Sequence, residues 1–107
     1  MSGYYTRPKT DEDLVEGARW IRADNPRAAR RFLDAAFDAF DRLAEFPESG
    51  PLARFKNRKL GAVRFSVLPP PFNRWVVFYR ITDQQVEIIR VIYGTQNWRG
   101  KPASFFI

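Results

Sequence analysis

Apolar residues fall on both faces of the stretch 86–93. Val86, Ile88 and Ile92 lie on one side of an extended chain, and Ile89, Val91 and Tyr93 on the other. A β-branched run of this kind predicts a central strand covered on both sides. Trp75-Val76-Val77-Phe78-Tyr79-Arg80-Ile81 forms a second run, and the polar Thr82-Asp83-Gln84-Gln85 between them suits a hairpin loop. That loop pairs Ile81 with Val86 and Arg80 with Glu87, setting opposite charges across from each other. The same register places Arg90 opposite Val77, on the face that carries Trp75, Tyr79, Ile88 and Ile92. The other face, with Val76, Phe78, Ile89, Val91 and Tyr93, is the expected floor for helices.

The first half of the chain supplies those helices. Leu14, Ala18 and Ile21 recur at helical spacing behind Thr10, an expected N-cap, with Asp13 completing a capping-box pattern. Asn25-Pro26 stops this helix and starts the next, since the residue before proline avoids the α region and proline suits the first helical position. Ala29, Phe32, Leu33, Ala36, Phe37, Phe40, Leu43 and Ala44 then recur at steps of three and four. The short connection predicts an antiparallel helix hairpin.

Residues 46–51 are rich in breakers, 54–60 read as a basic loop or short strand, and Val63, Phe65 and Val67 alternate as in a half-buried strand. Tyr4-Tyr5-Thr6 suits an edge strand, and Pro69-Pro70-Pro71 a stiff connection. Gly94 ends the last strand, residues 95–102 form a turn, and the apolar tail 103–107 docks on the sheet or on a partner. The expected fold is α+β, one domain over 1–107: a helix hairpin on one face of a small, mostly antiparallel sheet. Two helices cover one face only, so Trp75, Val77, Tyr79 and Ile88 are expected to await a partner.

Composition narrows the chemistry. The chain of 107 residues has no cysteine and no histidine, which removes disulfides, thiolate metal sites and the usual general base. It has no Gly-rich phosphate loop and no apolar stretch of membrane-spanning length, so no metal, cofactor or membrane is expected and the setting is cytoplasmic. Eight Lys/Arg face ten Asp/Glu in residues 1–53, whereas ten face two in 54–107, so the net charge of +6 comes from the second half. Such a half suits an acidic partner, and an apolar surface with a basic rim suits an acidic amphipathic peptide. Metal-free RNA cleavage would draw on Lys56, Lys59, Arg64, Arg74, Arg90 and Tyr93. An arginine at position 90, among apolar neighbours, needs a carboxylate, phosphate or carbonyl.

Several short motifs occur together and in order. They are Asp13-Leu14 with Trp20-Ile21, Asn25-Pro26-x-Ala28-Ala29, Phe46-Pro47-x-x-Gly50, Val63-Arg64, Phe78-Tyr79-Arg80 and Ile89-Arg90-Val91-Ile92-Tyr93-Gly94. In this order and spacing, across residues 4–98, the chain resembles the ParE/RelE superfamily of type II toxins, and the ParE branch in particular. The resemblance implies a helix hairpin on an antiparallel sheet, and neutralisation by a ParD-like antitoxin with an acidic disordered tail. It also implies inhibition of DNA gyrase without catalysis, and contact with operator DNA only through the antitoxin complex. Arg64, Arg90 and the turn Gln96, Asn97, Trp98 and Arg99 are the expected target contacts. Trp75, Val77, Tyr79, Ile88, Phe105, Phe106 and Ile107 are the expected antitoxin contacts. The RelE branch, which cleaves messenger RNA on the ribosome, uses arginines where this chain has Val76 and Thr95-Gln96, and a late tyrosine that is missing here. A ribonuclease of altered site, or a toxin reduced to antitoxin binding, are the alternatives.

Overall fold

The computed structural model describes residues 3–94, 98 and 100–106. The chain opens with β1 (Gly3–Thr6) and passes directly into α1 (Pro8–Arg22), then α2 (Pro26–Glu45). Asn25 caps α2 as expected: its side chain accepts the Ala28 N–H at 3.0 Å, and Pro26 takes the first helical position. The first helix starts a turn earlier than Thr10, because Pro8 already supplies the helical φ and a position that needs no N–H partner. Thr10 and Asp13 are thereby freed from capping, and both are buried.

Three more strands follow, β2 (Arg64–Val67), β3 (Trp75–Ile81) and β4 (Gln85–Tyr93). The four-stranded sheet runs β1-β4-β3-β2, with β1 parallel to β4 and the rest antiparallel. Ile81 pairs with Val86 and Arg80 with Glu87, as loop length and charge predict. Arg90 pairs with Phe78, not Val77, because an extra residue, Ile89, bulges out of β4 between the Tyr79–Ile88 and Phe78–Arg90 pairs. The bulge inverts the alternation. Val86, Ile88 and Val91 share one cluster, while Ile89 and Ile92 join the other.

The expected assignment of faces is reversed. Trp75, Val77, Tyr79 and Ile88 lie beneath the helices, in one core with Leu14, Phe32, Ala36, Ala39, Phe40 and Leu43. Val76, Phe78 and Ile89 face the opposite way, and that side is not bare. Ala53, Leu60 and Val63 from the long α2–β2 connection cover it together with Trp98 and Phe106. Its lid is aromatic: Phe78 meets Trp98 edge-on at 5.1 Å and Phe106 at 4.9 Å between ring centroids. Burying a side chain of this size contributes about 2–3 kcal/mol, enough to hold a tail that would otherwise fray. The domain therefore closes both faces with its own chain, and a shortage of cover no longer argues for a partner.

Candidate functional site

Among the described residues no strand pairs with the outer edge of β4 beyond Ile88, since β1 ends at Thr6 and the Arg7 N–H makes the last ladder bond, to the Ile88 carbonyl at 3.3 Å. The start of α1 takes over that edge. Thr10 Oγ1 lies 2.8 Å from the carbonyl oxygens of both Ile88 and Ile89, and its single proton serves one at a time. Asp13 Oδ2 accepts the Val91 N–H at 3.0 Å. Helix side chains thus stand in for a strand at the bulge, which satisfies groups that burial would otherwise leave costly.

Asp13 also receives Arg90 in a two-pronged ion pair, Nε to Oδ2 at 2.7 Å and Nη2 to Oδ1 at 2.9 Å. The remaining Arg90 nitrogen, Nη1, donates to the Phe105 carbonyl at 3.0 Å, and the guanidinium carbon sits 4.0 Å from the centre of the Phe105 ring. One residue on, Arg7 donates to the Phe106 carbonyl at 3.1 Å and to Glu87 at 2.8 Å, while Arg80 holds the other Glu87 oxygen at 2.6 Å. The Arg7 hydrogen bond is the main reason the Glu87 carboxyl stays below the usual carboxylate range despite burial, with Arg80 adding to it. Two arginines thus clamp the tail's backbone to the sheet.

The exposed apolar surface lies elsewhere, on the outside of the helix hairpin. A groove of about 640 Å³ runs between α1 and α2, floored by Leu14, Val15, Ala18, Ala29, Leu33 and Phe37. Val15 and Phe37 are exposed, at 54% and 43%. Arg19, Arg22 and Arg30 rim the groove, and no ion pair engages them among the described residues. The groove thus has an apolar centre and a mostly basic rim, to which Asp11 adds one acid.

A profile described as the ParE toxin of the type II toxin–antitoxin system parDE matches residues 4–98. The chain belongs to the ParE toxin family. A Sinorhizobium fredii protein named as a toxin, Y4kP, is 33% identical over 85 residues, covering 79% of this chain and 80% of its own length. Toxin RelE2 of Caulobacter vibrioides is 33% identical over 84 residues, covering 78% and 85%. Among solved structures, a chain of the chromosomal ParDE system from P. aeruginosa superposes with a TM-score of 0.68 at 16% identity, covering 88% of this chain and 97% of its own. That likeness supports the α+β architecture.

In this ParE-family chain the expected contact residues do not form one surface. Arg90 is buried in its pair with Asp13, and Arg64 spends Nη1 on the Gly50 carbonyl at 2.7 Å. Trp98 is buried in the lid, and Gln96, Asn97 and Arg99 lie outside the described residues, as does Ile107. Of the expected antitoxin contacts, Trp75, Val77, Tyr79 and Ile88 are core under the hairpin, and Phe106 is core of the lid. Reaching them would mean displacing the helices or the tail. Phe105 remains half-buried at the edge. Arg19, Arg22 and Arg30 lie outside the expected contacts. Their signal was a cluster of cations beside Val15, Leu33 and Phe37 at helical spacing. No helix among the described residues is long and apolar enough to cross a membrane.

Proposed function

We propose that this chain is a toxin that inhibits DNA gyrase in the bacterial cytoplasm without bond-making chemistry of its own. A cognate antitoxin with an acidic amphipathic segment neutralises it and carries the pair to operator DNA. Membership of the ParE toxin family supports the choice of target. The observation that carries the non-catalytic reading is the state of Arg90, whose guanidinium is occupied by Asp13 and a backbone carbonyl. The other residues considered for RNA cleavage are dispersed. Lys56 and Lys59 are exposed in the 54–61 loop, Arg64 pins Gly50, Arg74 is exposed ahead of β3, and Tyr93 packs tilted against Trp20 and edge-on against Trp75. The antitoxin segment is assigned to the hairpin groove, where its acids meet Arg19, Arg22 and Arg30 and its apolar face meets Val15 and Phe37.

The test pairs a gyrase supercoiling assay with a translation-coupled messenger RNA cleavage assay. The purified chain is expected to block supercoiling and leave messenger RNA intact. The acidic-tailed protein of the neighbouring gene should reverse the block, and do so far less well against Arg22→Glu/Arg30→Glu. Cleavage of messenger RNA at discrete positions, with supercoiling untouched, would establish a ribonuclease instead. Silence in both assays with antitoxin binding intact would make the chain a binding module only.

A further inference from the structure

The α2–β2 connection carries a second feature that the groove and the clamp leave unused. Arg54, Lys56, Arg58 and Lys59 are four exposed cations within six positions, and none pairs with a carboxylate among the described residues. Lys101 of the tail faces Arg54 and Lys56 across a cleft of about 530 Å³, lined also by Phe55, Asn57 and Leu60, and Arg58 and Lys59 follow on the exposed 3-10 turn beside it. Residues 54–107 hold only two acids, Asp83 and Glu87, and Glu87 is already neutralised by Arg7 and Arg80.

The loop is also fixed in shape. Asn57 Oδ1 accepts the Lys59 N–H at 2.9 Å and caps a 3-10 turn at Arg58–Leu60. Ala53 and Leu60 anchor its two ends in the core. Arg54 holds φ at 58°, a left-handed conformation that glycine adopts freely and an arginine does not. A charged side chain kept at a strained, exposed position between a buried Ala53 and a half-buried Phe55 points to a use for the charge.

We infer that this basic loop, with the cleft beside it, binds the phosphodiester backbone of nucleic acid, without reading its sequence. Backbone phosphates need only a rigid array of cations, which the loop provides. An acidic peptide that orders on binding would need an apolar anchor as well, and here Ala53, Leu60 and most of Phe55 are turned into the core. The inference does not depend on which enzyme the toxin inhibits, so either can fail alone.

The test measures anisotropy of a short labelled DNA duplex, and of an RNA hairpin of equal charge, titrated with the full chain at several salt concentrations. Binding should weaken with salt at a log–log slope of about −4, set by up to five cations. Lys56→Gln/Arg58→Gln/Lys59→Gln should reduce the slope by about 3 and weaken low-salt binding by about tenfold or more. A control, Arg27→Gln/Arg31→Gln/Arg42→Gln, removes the same net charge from exposed positions of α2 and should stay within about twofold. Arg54→Gly should raise thermal stability while weakening binding, separating backbone strain from charge. Equal losses in both triple variants would reduce the effect to net charge and overturn the inference. So would displacement of the duplex by polyglutamate of matching charge, or capture by anionic vesicles with no binding to either nucleic acid.

Discussion

Replacing Asp13 by alanine should destabilise the fold by about 3–5 kcal/mol, because it leaves a buried arginine without its carboxylate and the buried Val91 N–H without an acceptor. The side chains of Arg90 and Asp13 are only 10% and 7% exposed, so water replaces the lost carboxylate poorly. The exposed pair Lys9–Glu12, at 54% and 62%, provides the comparison, and Glu12→Ala should change stability by less than about 0.5 kcal/mol. Urea denaturation of the two variants decides the matter. The double variant Asp13→Leu/Arg90→Met should recover part of the loss, since removing both charges is far milder than stranding one. An Asp13→Ala midpoint close to that of the parent would mean that the clamp contributes little.

Gly50→Ala should cost about 3 kcal/mol or more, for a steric reason. The backbone at Gly50 is ordinary extended chain, φ −86° and ψ 141°, which alanine adopts without strain. A methyl group there would strike the Phe65 carbonyl and lie 2.6 Å from the Tyr79 hydroxyl. That hydroxyl donates to the Pro47 carbonyl at 2.8 Å and accepts the Gly50 N–H at 2.9 Å, so the methyl would break the contact fixing the α2–β2 connection to the core. Tyr79→Phe removes the hydroxyl alone and should cost about 1–2 kcal/mol. Gly100→Ala, with nothing within 4 Å of the new carbon, should be nearly neutral. A Gly50→Ala loss no greater than that of Tyr79→Phe would contradict the steric reading.

What the sequence disclosed was chiefly what neighbours along the chain decide. Asn25-Pro26 and the spacing of Phe32, Ala36, Phe40 and Leu43 define α2 from local terms. Loop length and the Arg80–Glu87 pair likewise set the β3–β4 register near the turn. The bulge at Ile89 escaped because its partners, Thr10 and Asp13, come from the other end of the chain. Those two residues were misread for a related reason: Thr-x-x-Asp near a helix start looks like a cap until Pro8 is seen to start the helix earlier.

The choice of face had no local signal at all. Trp75, Val77 and Tyr79 are as apolar as Val76 and Phe78, and which set the helices cover goes with the routing of distant segments, the α2–β2 connection and the tail among them. The need of Arg90 for a carboxylate was legible; the identity of Asp13 was not. The hairpin groove had no counterpart among the expected surfaces, because a hairpin has an outer face as well as an inner one.

Arg90 is spent inside the fold, holding α1, the β4 bulge and the tail together. Modification of the isolated chain by an arginine-selective dicarbonyl reagent, mapped by mass spectrometry over time, tests this directly. Arg54 and Arg58, both exposed, should react early, and Arg90 only at the rate of unfolding. Labelling of Arg90 as fast as Arg54 would contradict it, and would return that side chain to the surface as a group free to meet a target.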